Sequence, residues 1–360
     1  VPVRVAVAYE VGSPIVVEDL AVPAIGPSDV LVRISASGIC HTDLTVLEGK
    51  SALPLPIVPG HEACGVVEEV GSEVRRVRVG DRVLASVSPA CGSCWWCIHG
   101  LSNHCEVNPL VKSIERFDLP DGRRAPAVCG CGTFAEAMVV HEASVVPVQT
   151  DLSDEELALL GCGVTTGVGA ALNTARVEPG SSAAIIGCGG VGQSVIQGAA
   201  IAGAATIIAI DPVAGRRDAS LKIGATHAID PTQGDLLGQV QALTGGRGVD
   251  FSFEAVGRPE LMNQAFDLAR VGGSVTFVGM PPVGAEFSLP AIKAIFTGKR
   301  MQGSVLGGSQ ILRDFPKFIR LAESGRLDLG SMVSHRISLD QINEGIDLLS
   351  RADGVRTVIV

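Results

Sequence analysis

Thirty consecutive residues, 181–210, carry no charge, yet glycines at 187, 189, 190, 192, 198 and 203 interrupt them. A membrane-spanning helix needs about 20 unbroken apolar residues, and glycine inside a helix costs about 1 kcal/mol relative to alanine. The stretch therefore reads as two buried strands, Ala183–Gly187 and Thr206–Ile210, flanking one helix. The loop after the first strand, Gly187-Cys188-Gly189-Gly190-Val191-Gly192, has the form G-x-G-x-x-G. Gly187 makes the tight turn, Gly189 lets backbone approach a pyrophosphate, and Gly192 lets the helix pack close to the sheet. The helix start, with Gly190 and Val191 in its first turn, offers unpaired N–H groups and a positive dipole end to the phosphates. Asp211 follows the second strand, where its carboxylate can accept hydrogen bonds from the adenosine ribose and repel a 2′-phosphate. NAD is therefore favoured over NADP, although Arg216 and Arg217 lie close enough in sequence to serve a phosphate.

The texture of the chain changes near Thr165. Before it, from Val3 to about Val148, short β-rich runs such as Val30–Ser35, Gly65–Val70 and Asp81–Ser86 are separated by Gly, Pro and Asp. Beyond it, apolar strands alternate with amphipathic helices, and His227–Ile229, Val249–Glu254 and Ser274–Val278 continue the series. This is the pattern of an α/β, doubly wound parallel sheet. A helix near Asp314–Ser324, a turn at Gly325 and a strand-like Val355–Val360 then return to the first texture. The 360 residues thus divide into a discontinuous β-rich domain, 1–163 with 306–360, and an inserted nucleotide domain, 164–305. Val1–Glu10 alternates like a strand and lacks the regions of a targeting peptide, so a soluble, cytoplasmic protein is expected. A net charge of −10 without a basic patch argues against nucleic acid or an anionic membrane as partner.

Ten cysteines are present, and four of them, Cys91, Cys94, Cys97 and Cys105, crowd into one short run. Such spacing lets one loop bring four thiolates to a single Zn²⁺, a closed shell that stabilises and leaves no position for substrate. Two disulfides are the alternative, but a chain without a secretory signal and with six scattered cysteines favours the metal. His99 and His104 lie within the run and read as ordinary loop histidines. Cys64, Cys129, Cys131 and Cys188 read as small apolar residues, with Cys188, in the glycine loop, a candidate for alkylation.

Three more candidate ligands are dispersed: Cys40 in Gly38-Ile-Cys-His-Thr-Asp43, His61 before Glu62, and Cys162 between Gly161 and Gly163. The segment Gly60-His-Glu-Ala-Cys-Gly65, with Gly71 and Val74, resembles the zinc signature of the zinc-dependent medium-chain alcohol dehydrogenases. The four-cysteine run, the Gly187 loop and the domain order resemble that family too, over essentially the whole chain to Arg356-Thr-Val-Ile. The resemblance implies a GroES-like fold for the β-rich domain and two zinc ions per chain. Cys40, His61 and Cys162 would hold the catalytic one, and three protein ligands with an open fourth position are how catalytic zinc is built. It further implies that Asp43 orients the histidine ligand, that Glu62 assists ligand exchange, and that Thr42 takes the alcohol proton. Around the cofactor it implies His41 and Arg356 at the pyrophosphate, with Thr166, Val278, Gly279 and Met280 about the nicotinamide. The expected reaction is hydride transfer between a primary or secondary alcohol and NAD, by a homodimer or a tetramer.

One position departs from the pattern: Thr45 stands where many relatives end a proton relay with histidine, and a hydroxyl cannot titrate near neutrality. The intermediate-to-long segment from Cys105 to Gly132 and the small Val87 imply a roomy site for bulky or aromatic alcohols. Two other readings fit these motifs: a dehydrogenase of S-hydroxymethyl thiols made from formaldehyde, and a silent NAD-binding zinc protein.

Overall fold

The computed structural model describes residues 2–108 and 114–360. Residues 109–113, part of the segment read above for substrate size, lie outside the described residues. The chain divides into two compact units, one of Val1–Cys162, Gln310–Gly325 and Leu329–Val360, the other of Gly163–Ser309 and Arg326–Asp328. The return to the first unit falls at Gln310 rather than at 306, because Gly307 packs backbone to backbone on Gly169 and Ser309 Oγ donates to the Thr165 carbonyl. Arg326–Asp328 also belong to the second unit, where Gln197 both donates to the Asp328 carbonyl and accepts from its amide.

The first unit is built on a mostly antiparallel sheet whose central strand, Asp29–Gly38, pairs with Glu62–Val70, Ala137–His141 and Arg356–Ile359. Period-2 burial sends Val30 and Val32 into one core with Val67, Val83, Met138 and Val140. The expected closing strand is present as Arg356–Ile359, with Val358 opposite Gly38. Val333–Ile337 pairs beside it in parallel and was not foreseen, because the run Val-Ser-His-Arg-Ile is half polar and carries no flanking turn signal.

The second unit carries six parallel strands. In chain order they are Ser182–Ile186, Thr206–Ile210, His227–Ile229, Val249–Glu254, Ala269–Phe277 and Arg300–Gly303, and across the sheet they lie 3-2-1-4-5-6. This is the doubly wound order, whose direction reverses between the first and fourth strands and opens a crevice there at the carboxyl edge. Both faces are apolar, so the strands read as near-continuous hydrophobic runs. The edge strand Arg300–Gly303 escaped the sequence reading, since its four residues are largely exposed and show no apolar pattern. Among the described residues no single helix is long and apolar enough to cross a membrane.

Candidate active site

Gly38 ends the central strand opposite Glu62, and the chain turns through Cys40 into the short helix His41–Leu47. Cross-strand pairing therefore brings Cys40, His61 and Glu62 to one edge of the sheet. Cys162 arrives from the segment after the helix Asp154–Ala158, where a Cβ on Gly161 would stand 2.9 Å from the Ala85 carbonyl oxygen and 3.2 Å from Glu62 Cα. One ligand atom from each of Cys40, His61, Glu62 and Cys162 lies within 4.8 Å of all the others.

Asp43 organises this pocket while fully buried itself. Its Oδ1 accepts from the Gly60 amide at 2.9 Å and lies 3.3 Å from His61 Nδ1, and its Oδ2 accepts from the Cys40 amide at 3.1 Å. Among the described residues Nε2 of His61 is sealed from water and meets no hydrogen-bond partner in good geometry, with the Cys40 and Cys162 thiols beside it. An orphaned buried polar atom costs about 1–3 kcal/mol, and a cation taking that lone pair removes the cost. The electrostatics agree. The Cys162 thiol donates to Cys40 and holds it well below the ordinary thiol range, against burial. Burial pulls the His61 imidazole down, but Asp43 and Cys40 outweigh it and raise it well above its usual value. The pocket is thus short of positive charge, and its donor set of two sulfurs and one imidazole fits Zn²⁺.

Glu62 and Arg356 form a buried ion pair behind the pocket, Oε1 to Nη2 at 3.4 Å, while Arg356 Nη1 donates to the Ile39 carbonyl. Burial pushes the Glu62 carboxyl up to about 7 although Arg356 opposes it. Arg356 is 5% exposed. His41 is exposed on the first turn of its helix. Thr42 Oγ1 lies 3.8 Å from Cys40 Sγ. Thr45 donates its hydroxyl to the His41 carbonyl at 2.9 Å, the i to i−4 bond open to a helical threonine.

The thiols of Cys91, Cys94, Cys97 and Cys105 also gather within 4.8 Å of one another. Cys91 and Cys97 Sγ are 3.9 Å apart, and Cys94 and Cys105 Sγ 3.8 Å. A tetrahedron with Zn–S bonds of about 2.3 Å has edges of about 3.8 Å, whereas a disulfide needs about 2.05 Å. Burial pushes the Cys91 thiol up, but the Ser93 and Cys94 amides and the Ser93 hydroxyl outweigh it and hold it at about 6. His99 turns away to stack on Trp95, ring centroids 4.1 Å apart, with Nδ1 against the Trp95 carbonyl.

In the second unit Gly187 adopts a φ of +87°, and a Cβ on Gly192 would stand 1.8 Å from the Gly187 carbonyl oxygen, so the helix Gly190–Ala202 seats directly on the loop. Over Gly189 the nearest atom to an added Cβ is an Arg216 nitrogen at 3.8 Å, which leaves the middle of the loop open. Asp211 is buried; its two oxygens accept from the Cys188 and Val213 amides, each at 2.8 Å. Arg216 reaches to 4.0 Å of that carboxylate, whereas Arg217 is tied to the Asp211 carbonyl and to Asp230. Thr166, Val278 and Gly279 are half-buried and Met280 is exposed.

Residues 26–150 match the alcohol dehydrogenase GroES-like domain family, and residues 190–324 match the zinc-binding dehydrogenase family. An S-(hydroxymethyl)glutathione dehydrogenase of Synechocystis sp. is 37% identical over 366 residues, 99% of both chains. The chain belongs to the zinc-dependent medium-chain alcohol dehydrogenases. Among solved structures, this dehydrogenase is similar to an alcohol dehydrogenase zinc-binding domain protein of Burkholderia ambifaria (33% identity, TM-score 0.94, 100% of this chain and 98% of that one). It is also similar to the benzyl alcohol dehydrogenase of Acinetobacter calcoaceticus (30% identity, TM-score 0.92, 100% and 99%). It is accordingly an NAD-dependent zinc oxidoreductase with a four-cysteine site at Cys91, Cys94, Cys97 and Cys105.

The dehydrogenase also carries features the motifs did not announce. A Cβ on Gly38 would stand 2.4 Å from Glu62 Oε2, so this glycine makes room for the carboxylate. The sequence offered Gly38 only as a neighbour of Cys40, and its cross-strand pairing carries the signal. Cys188 does not offer a reactive thiol: it is fully buried, and burial pushes it up to about 12. Cys64 and Cys131 are buried as well, and Cys129 is half-buried.

Proposed function

We propose that this dehydrogenase oxidises a primary or secondary alcohol bearing a bulky or aromatic group to the aldehyde or ketone, with NAD as hydride acceptor. The observation that carries the reading is the convergence of Cys40, His61 and Cys162 around the orphaned Nε2 of His61. These three residues would hold the catalytic zinc, with Asp43 fixing the His61 ring through Nδ1 and Glu62 beside them with Arg356 as its counterion. Zinc at this place supplies Lewis acidity, the effect that lowers the pKa of water from 15.7 to about 7, and so eases loss of the alcohol proton. Thr42 Oγ1 receives that proton. Thr45, whose hydroxyl donates to the His41 carbonyl, cannot serve as the final base because a hydroxyl does not titrate near neutrality, so the proton leaves through water or a nearby substitute.

In the second unit the loop Gly187–Gly192, with Asp211 and Arg216, takes the adenosine and pyrophosphate of NAD, and Thr166, Val278, Gly279 and Met280 line the nicotinamide. The similarity to a benzyl alcohol dehydrogenase supports an aromatic substrate. A second reading, oxidation of an S-hydroxymethyl thiol, is favoured by the Synechocystis relative. NADH formation with aliphatic, aromatic and terpenoid alcohols, against formaldehyde plus low-molecular-weight thiols, separates the two. Thiol-dependent turnover above that of every alcohol overturns the first reading. Two zinc ions per chain are expected, and one would leave only the cysteine lobe loaded.

We further propose a homodimer, with a tetramer as the alternative assembly. Among the described residues the edge strand Arg300–Gly303 has no partner on its outer side, and Ile292, Ile295 and Phe296 on the neighbouring helix Ala291–Thr297 are exposed. Ten unpaired cysteines suit the reducing cytoplasm.

A further inference from the structure

Glu254 is a buried carboxyl that no motif announced and no role above employs. It ends the fourth strand of the parallel sheet, in register with Ile186 on one side and Phe277 on the other. That is the topological switch point, where the crevice for a dinucleotide opens. Its Oε1 accepts from the Val256 amide at 2.8 Å and the Gly257 amide at 2.7 Å, with Arg258 N at 3.5 Å. Its Oε2 is shielded from solvent and has no hydrogen-bond partner among the described residues. The backbone carbonyl of the same residue accepts from the Val278 and Gly279 amides at 2.8 and 3.0 Å.

The turn held in this way is wedged between two other segments. A Cβ on Gly187 would meet Val256 Cγ2 at 2.3 Å. Across the turn, a Cβ on Gly279 would meet Gly257 N at 2.1 Å, and one on Gly257 would meet the Met280 carbonyl oxygen at 2.3 Å. The glycine loop and the Val278–Met280 segment are thus separated by the 255–258 turn with no slack, and the conformation of that turn depends on the Glu254 carboxylate.

We propose that Glu254 is a positioning residue for the dinucleotide, fixing the 255–258 turn as the spacer between the glycine loop and the Val278–Met280 segment. The proposal rests on the reading that this crevice takes NAD. Loss of the acceptor leaves the Val256 and Gly257 amides unsatisfied, and the turn relaxes away from the spacing that a two-headed ligand requires. A ligand with only the adenosine end does not sense that spacing.

The test uses the zinc-loaded full chain, with NADH binding followed by its fluorescence and AMP binding by competition. Glu254→Gln keeps an oxygen acceptor and should leave the NADH Kd within about twofold, whereas Glu254→Met removes the acceptor of both amides and should raise it about tenfold. The KM for NAD should follow, with AMP affinity and the KM for alcohol unchanged. A folded Glu254→Met enzyme with parental NADH affinity, or one losing AMP and NADH affinity equally, overturns the proposal. Should Glu254→Met fail to fold, Glu254→Asp withdraws the carboxylate by one methylene and should raise the NADH Kd about threefold; no change overturns the proposal. A parent enzyme that binds no NADH overturns the cofactor reading as well, whereas parental binding with an indifferent variant overturns the role of Glu254 alone.

Discussion

Asp43 places one carboxylate oxygen 3.3 Å from Nδ1 of His61, with both side chains sealed from solvent. The same oxygen accepts the Gly60 amide, so the residue before the histidine and the histidine ring are held by one group. Asp43→Asn keeps the shape of the acceptor but removes its charge. Partners of this kind typically account for 10–100-fold in metal affinity or activity. After dialysis against a mild chelator the variant should retain about one zinc where the parent retains two, with kcat reduced about tenfold or more. Two zincs and parental kcat after the same treatment would refute the role given to Asp43.

The chain's only two tryptophans, Trp95 and Trp96, stand between Cys94 and Cys97. Intrinsic tryptophan emission therefore reports the four-cysteine lobe and nothing else. Stripping zinc with a strong chelator should change the emission in step with metal released from that lobe, and Cys97→Ser should show the stripped spectrum at the outset. Because structural zinc binding is coupled to folding, Cys97→Ser should also lower the Tm by several degrees. A parental spectrum from a zinc-depleted lobe would contradict this assignment.

Gly38 and Glu62 predict a non-additive pair. Gly38→Ala puts a methyl 2.4 Å from Glu62 Oε2 and forces the buried carboxylate away from Arg356. Overpacking of this kind costs about 1–3 kcal/mol, readable as a lower urea midpoint. In a Glu62→Ala background the clash is gone, so Gly38→Ala should cost much less there than in the parent, although Glu62→Ala is itself destabilising because it leaves Arg356 buried without its counterion. Simple additivity within about 0.5 kcal/mol would show that the two residues do not interact.

Asp250 predicts a pH dependence of stability. Burial raises its carboxyl, but the Ser182 amide and hydroxyl and the Arg270 guanidinium together hold it below the usual range. A folded-state value below the unfolded value of about 3.9 contributes stability above that pH, which is lost as pH falls through the folded value. Asp250→Asn should thus cost about 1 kcal/mol at neutral pH, and the difference from the parent should vanish under strongly acidic conditions. A gap in denaturation midpoint that is constant with pH would exclude the charge as its origin.

The metal and cofactor motifs were legible because their chemistry is local in sequence. Four cysteines within one loop, or three glycines between a strand and a helix, specify a geometry before the rest of the fold is known. Cys40, His61 and Cys162 were legible only through the family resemblance, since nothing in their spacing shows that Gly38 pairs with Glu62 or that Gly161 crosses the same strand. What stayed hidden depends on long-range pairing. A glutamate ending an apolar strand reads as a solvated residue until Ile186 and Phe277 are seen on either side of Glu254. The pairing of Arg356 with Glu62 stays hidden until the strand that carries it is laid against Gly38. Arg300–Gly303 is too short and too polar for periodicity to register.

Arg356 and Ile39 touch across 317 positions of the chain. During synthesis the wall behind Cys40 is therefore missing while all the intervening residues leave the ribosome, whereas the four-cysteine loop is complete once Cys105 has emerged. The two zinc pockets mature at different moments of translation, and a stalled nascent chain would present the structural one ready for metal and the catalytic one still open at the back.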